Sequence, residues 1–304
     1  MLVDTHTHFY DEWLLPDAEA AIQRALDAGV GKMIQADVDS AERPRMWEIG
    51  LRHPGVLFQM LGLYPGSVTA ENWREELDQV YRIAAGDFSA ALEMTGAAGD
   101  FSAALEMTGA AGDSSATLGM TGTTLGMTGT ALGMTDFVAI GEIGLDYHEG
   151  KEFVREQKEV LRLQFELAAK LDLPVNIHLR DAWEDFFAVL EDCAHLHLRG
   201  NLHCFSGSYE VYQRANRSGD FSVGIGGVLT FKNASLPAVV ARIPMEHILL
   251  ETDAPYLAPV PYRGKRNESA YLPLVAARLA EIKGLSLNEI ETITTDNAKR
   301  LFAI

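Results

Sequence analysis

The sequence predicts an α/β fold, a (β/α)₈ TIM barrel, and two observations carry that expectation. Eight short apolar runs recur along the chain, at residues 2–7, 32–37, 56–62, 137–142, 173–178, 200–205, 221–226 and 247–252. Longer amphipathic stretches separate most of them, the alternation that builds a parallel sheet covered by helices. Length agrees: of 304 residues, 50 belong to a repetitive tract at 86–135, and the remaining 254 approach the roughly 250 of a typical barrel. An open doubly wound sheet would announce itself by a glycine-rich nucleotide turn after the first strand, and none is present.

Taken in order, the first run, "LVDTHT", ends in histidines, and a helical stretch follows at 17–28 with apolar residues three and four apart. After the second and third runs comes a helical stretch at 71–85, and then the tract. Residues 86–98 and 99–111 are the same thirteen residues, GDFSAALEMTGAA, written twice; 112–124 keeps 8 of 13 positions, and shorter echoes reach Asp136. In a barrel a helix-to-strand connection lies on the face away from the strands' C-terminal ends. The tract is therefore expected to be a low-complexity insertion tolerated within one domain spanning 1–304, since long surface insertions add little closure entropy. Helical stretches at 153–171 and 182–193 flank the fifth run, and a last one spans 286–302, where Ser286 and Glu289 make a capping box.

Composition bounds the function. The net charge is −18, from 25 basic and 43 acidic side chains, which argues against a protein that coats duplex nucleic acid. It leaves room for an enzyme that grips a few phosphates locally. Cys193 and Cys204 make no disulfide framework, so a reducing compartment is expected. No apolar run reaches the ~18 residues of a membrane helix, and the N-terminus lacks a signal pattern. The expectation is a cytoplasmic protein that engages no membrane, and nothing in the sequence points to a stable protein partner or sets the oligomeric state.

The chemistry gathers at the strand ends. His6 and His8 in "DTHTH" share one face of the first strand and point into the barrel mouth. A second such pair, His195 and His197 in "AHLH", precedes a strand and falls on the opposite face, where solvated side chains are expected. Further strands end in Glu142 ("AIGEIGLDY"), His178 ("NIHLRD"), His203 ("LHCFSG") and Asp253 ("LLETDAPYL"). Each alone could be a buried polar group with a backbone partner. Six on one rim suggest a metal centre, and nitrogen and oxygen donors without thiolate suit two divalent ions, Mg, Mn or Zn. Glu142 has two oxygens with which to bridge them. A metal-activated water would be the nucleophile, and Asp253 is the candidate base.

In this order, HxH, "GEIGLDY", "IHLRDA", "HCFSG", "ETDAPYL" and "RGKRNES" resemble the TatD-type metal-dependent deoxyribonucleases of the amidohydrolase-like barrels. The resemblance covers the chain outside the repeats. It implies DNA phosphodiester hydrolysis, with His6, His8, Glu142, His178, His203 and Asp253 as ligands, Glu142 bridging and Asp253 the base. DNA is then the partner, as single strands or ends. "PYRGKRNES" places Arg263, Lys265 and Arg266 after the eighth strand, where they are expected to hold phosphate oxygens, with Arg180 in support. One departure stands out: where the family commonly reads "GLHP", this chain reads "GLYPG", and Tyr64 offers a hydroxyl rather than an imidazole. Two other readings remain open: a metallohydrolase of a small ester, lactone or amide, and a non-catalytic binding protein on the same scaffold.

Overall fold

The computed structural model describes residues 1–87 and 137–304. Among these, eight strands form one all-parallel sheet in sequence order: β1 (Leu2–Thr7), β2 (Val30–Gln35), β3 (Leu57–Leu61), β4 (Phe137–Asp146), β5 (Val175–Arg180), β6 (Arg199–Leu202), β7 (Asp220–Ile225) and β8 (Ile248–Leu250). The sheet curls until Thr7, ending β1, bridges Ala254 just beyond β8. The fold is the TIM barrel that the alternating pattern predicts.

The helices cover it. Among the described residues they are α1 (Ala18–Asp27), α2 (Arg43–Arg52), α3 (Trp73–Ala84), α4 (Val154–Leu171), α5 (Trp183–Asp192), α6 (Tyr209–Ser218), α7 (Leu236–Val240), α8 (Leu272–Lys283) and α9 (Leu287–Phe302). Each long one buries a stripe set by its periodicity: α1 buries Ala18, Ala21, Ile22 and Ala25, and α4 buries Val160, Leu161, Phe165, Leu167 and Ala168. Ser286 caps α9 by accepting from the Glu289 amide, with the Glu289 carboxylate returning to the Ser286 amide. A separate apolar cluster joins Val3, Ile34, Met60, Ala139 and Leu249, from five strands, to Ala298 and Phe302 of α9. It closes the barrel floor and leaves the strands' C-terminal ends as the open mouth.

One strand departs usefully from expectation. β4 runs four residues past Glu142 to Asp146, so it delivers two carboxylates to the mouth. Gly144 makes this possible: its φ is +149°, and a Cβ there would lie 1.9 Å from the His178 carbonyl oxygen on β5.

The insertion expected at 86–135 lies, beyond Asp87, outside the described residues. Its described flanks are the end of α3 and Phe137, the first residue of β4, at the opposite end of that strand from Asp146. No helix among the described residues is long and apolar enough to cross a membrane.

Candidate metal centre

The strand ends bring His6, His8, Glu142, His178, His203 and Asp253 into one cluster. Three overlapping groups hold their donor atoms within 4.8 Å of one another: His6, His8 and Glu142; His6, His203 and Asp253; and Glu142, His178 and His203. Glu142 stands between two histidine pairs. Its Oε2 lies 3.3 Å from His6 Nε2 and 3.7 Å from His8 Nε2, while its Oε1 lies 2.9 Å from His178 Nδ1 and 3.1 Å from His203 Nε2. Asp253 Oδ1 joins the first pair, 3.7 Å from His6 Nε2 and 3.5 Å from His8 Nε2.

The donor set fits divalent cations. His6 and His8 aim their Nε2 atoms at each other across 3.1 Å, an arrangement that a cation between them satisfies and two free lone pairs do not. The other ring nitrogens point away, to partners that fix each tautomer. His6 Nδ1 meets Asn176 Oδ1 at 2.9 Å, His8 Nδ1 meets the Tyr10 hydroxyl at 2.9 Å, and His178 Nε2 meets Asp146 Oδ2 at 2.9 Å. Behind His203 Nδ1 stands the buried Glu251 carboxylate, at 3.6 Å. Such outer partners orient ligating rings and raise their basicity. None of the four was singled out from sequence, although "GLDY" and "LLETD" each carry a second acid beside the expected ligand.

Electrostatics follow from this crowding. Burial pushes the Glu142 carboxyl upward, but the charges of His203 and His6 and the hydrogen bonds from His178 and His203 outweigh it. The group lies well below the ordinary glutamate range. Asp253 follows the same pattern, burial being outweighed by the His8 hydrogen bond and the nearby imidazoles. Burial lowers His203, and Glu142 with Glu251 more than reverses this, holding it well above its usual value. His178 is raised too, by Asp146 and Glu142 against burial.

Asp253 depends on the chain that follows it. Its φ is +56°, unusual for a non-glycine residue, and the turn from 252 to 256 is clamped by the buried Asn267. Asn267 donates from Nδ2 to the Thr252 carbonyl at 2.8 Å and to the Tyr256 carbonyl at 2.7 Å, and from its amide to the Pro255 carbonyl at 2.9 Å.

The residues expected to hold phosphate do not lie together. The centre opens into a cavity of about 860 Å³ whose walls include Tyr64, Arg180 and also Arg45 of α2, but not Arg263, Lys265 or Arg266. Arg263 stacks on Phe231, and Lys265 sits 5.9 Å above the Tyr262 ring. Arg266 donates to Asp17 at 2.6 Å and to the Trp13 carbonyl at 3.0 Å, while Arg24 of α1 joins Asp17 to Glu268. "RGKRNES" thus straps the turn after β8 to the start of α1. Tyr64 faces His178 edge-on, with its hydroxyl 3.4 Å from both Asp146 and Glu149. Burial and the Glu142 charge raise its pKa far above the usual value, so it stays a neutral donor. His195 and His197 are exposed at the far end of β6, as expected.

Comparison with known proteins agrees with this geometry. YabD of Bacillus subtilis, described as an uncharacterized metal-dependent hydrolase, is 49% identical over 168 residues, 55% of this chain and 66% of that protein. A Klebsiella pneumoniae protein described as the 3'-5' ssDNA/RNA exonuclease TatD is 38% identical over 173 residues, 55% and 65% of the two chains. The chain therefore spans a little under two thirds of the length of these curated relatives. The crystal structure of YjjV, a TatD homologue from Escherichia coli, superposes with a TM-score of 0.75 at 26% identity, covering 100% of this chain and 98% of that one. The profile described as TatD related DNase matches residues 3–97 and 124–303, and this chain belongs to that family.

Proposed function

We propose that the chain is a metal-dependent phosphodiesterase that hydrolyses DNA at single-stranded ends, using two divalent ions, magnesium, manganese or zinc. The observation that carries this is the division of Glu142, one oxygen toward His6 and His8 and the other toward His178 and His203. The name of the Klebsiella relative supports a nucleic-acid substrate. His6, His8, Asp253 and Glu142 Oε2 would hold one ion, and His178, His203 and Glu142 Oε1 the other. Bound there, the ions would acidify the attacking water and offset phosphate charge. Asp253 stays ionised and is 15% exposed toward the cavity, which suits it to accept the proton from that water. Tyr64 donates a hydrogen bond from the wall, and Arg45 and Arg180 hold phosphate oxygens farther out.

Glu12, Glu42 and Glu149 also line the mouth, and this acidity favours a second reading, a small neutral ester, lactone or amide as substrate. One assay separates the two. The metal-reconstituted protein is offered single-stranded DNA, duplex DNA and a panel of small esters side by side. The proposal expects turnover of single strands above all. It also expects no metal-dependent hydrolysis from folded His6→Ala or Asp253→Asn, and full activity in either variant would refute the assigned centre.

A further inference from the structure

The mouth presents a problem for any nucleic-acid substrate. The protein carries a charge of −18, and Asp11, Glu12, Glu42 and Glu149 stand at the opening against Arg45 and Arg180. A net negative charge gives a polyanion little long-range attraction, so contacts that ignore charge must add to what the arginines and the metal centre supply. Beside the centre the chain exposes apolar surface of a particular kind. Trp13 is 57% and Tyr256 44% exposed, although large aromatic side chains ordinarily bury most of their area.

Their placement is fixed rather than incidental. Tyr256 lines the cavity, with its ring centroid 6.3 Å from that of His8, and the Trp13 centroid lies 6.1 Å farther out from Tyr256. The Tyr256 hydroxyl donates to Asp11 at 2.6 Å, and the Trp13 amide donates to the same carboxylate at 2.8 Å. The Trp13 carbonyl is held by Arg266 and the Tyr256 carbonyl by Asn267. Two separate loops are therefore tied so that both rings stay open to solvent at the edge of the metal centre. Two neighbouring aromatic rings held open beside a cavity make an apolar surface of the kind that ligands occupy.

We infer that Trp13 and Tyr256 form a stacking platform for an unpaired nucleobase of the substrate strand, adjacent to the phosphate held at the centre. This rests on the nuclease reading above and deepens it. Aromatic faces accept any base, because each has a π-face, and base stacking needs no positive charge. A base paired in a duplex has its faces covered by its neighbours, so the platform selects frayed or single-stranded ends. Arg266, expected from sequence to hold phosphate, contributes here by positioning Trp13.

The test is binding measured by fluorescence anisotropy with a chelator present, so that no hydrolysis intervenes. The probes are a short labelled oligodeoxyadenylate and the same backbone with abasic residues. Trp13→Ala should weaken binding of the oligodeoxyadenylate by about 5- to 150-fold, Trp13→Phe much less, and the abasic strand should bind wild type and Trp13→Ala alike. The platform is refuted if Trp13→Ala binds the oligodeoxyadenylate as wild type does, if wild type binds neither strand, or if both ligands are lost equally. A Trp13-dependent self-association in sedimentation, without base-dependent binding, would assign the rings to a second copy instead. Base-dependent binding without hydrolysis by the metal-loaded protein would sink the nuclease reading and leave the platform. Hydrolysis indifferent to Trp13 would do the reverse.

Discussion

Replacing Asn267 by alanine should damage catalysis from a distance. The side chain is fully buried and its two Nδ2 bonds, of 2.8 and 2.7 Å, hold the Thr252 and Tyr256 carbonyls on either side of Asp253. Losing them leaves two acceptors unpartnered in a largely buried turn, a loss of about 2–6 kcal/mol at roughly 1–3 kcal/mol per buried unsatisfied group. Asp253 itself sits at φ +56°, a conformation that costs about 1–3 kcal/mol and persists only while its surroundings impose it. With the clamp gone that strain can relax, and a displacement near 1 Å at a reacting group costs on the order of 100-fold in rate. Denaturant unfolding reads the first effect; kcat on a single-stranded substrate, separated from KM, reads the second. Asn267→Asp is the informative partner, since it keeps an acceptor for the Glu268 amide but cannot donate to the two carbonyls. If folded Asn267→Ala loses stability as expected and keeps its kcat, the clamp serves the fold alone and the reasoning fails.

Three further expectations concern the centre and its surroundings. Asp146→Asn leaves the shape of the His178 partner but removes its charge, and should weaken divalent-ion affinity by about 10- to 100-fold in competition with a chelating dye; an unchanged affinity would leave the Asp146–His178 contact without consequence. His178 and His203 hold their protons above the usual histidine range in the ion-free protein, so ion uptake must displace them and affinity should rise with pH through and beyond about 6.5. Calorimetry in buffers of different ionisation heat measures that release, and heats that match across buffers at neutral pH would contradict it. Deleting residues 99–111, one whole repeat unit, should leave hydrolysis unchanged, because both described flanks join elements at the end of β4 away from Asp146; a large loss in a folded deletion would place the repeat in the machinery.

Much of the fold was legible because it rests on local patterns. Strand-like runs and three- or four-residue spacing are properties of short windows, and they located all eight strands to within a few residues. The six clustered donors were legible for a related reason: each lies in or just beyond the C-terminal half of a strand, and a barrel brings those ends together. What escaped were relations between distant segments. Tyr10, Asn176 and Glu251 read as ordinary polar residues until the rings they support are placed beside them. The charge of "RGKRNES" gave no sign that Arg266 pairs with Asp17, a neighbour that only the folded chain brings beside it. Arg45 gave no signal because nothing local to α2 indicates that it faces the cavity.

The donor cluster draws on segments far apart in sequence: His6 and His8 come from the first strand, and Asp253, with the Asn267 that fixes it, follows the eighth. A nascent polypeptide halted anywhere before β8 carries at most an incomplete set. A fragment that ends before β8 lacks Asp253 and the Asn267 that clamps its turn, so the whole cluster assembles only in the closed barrel.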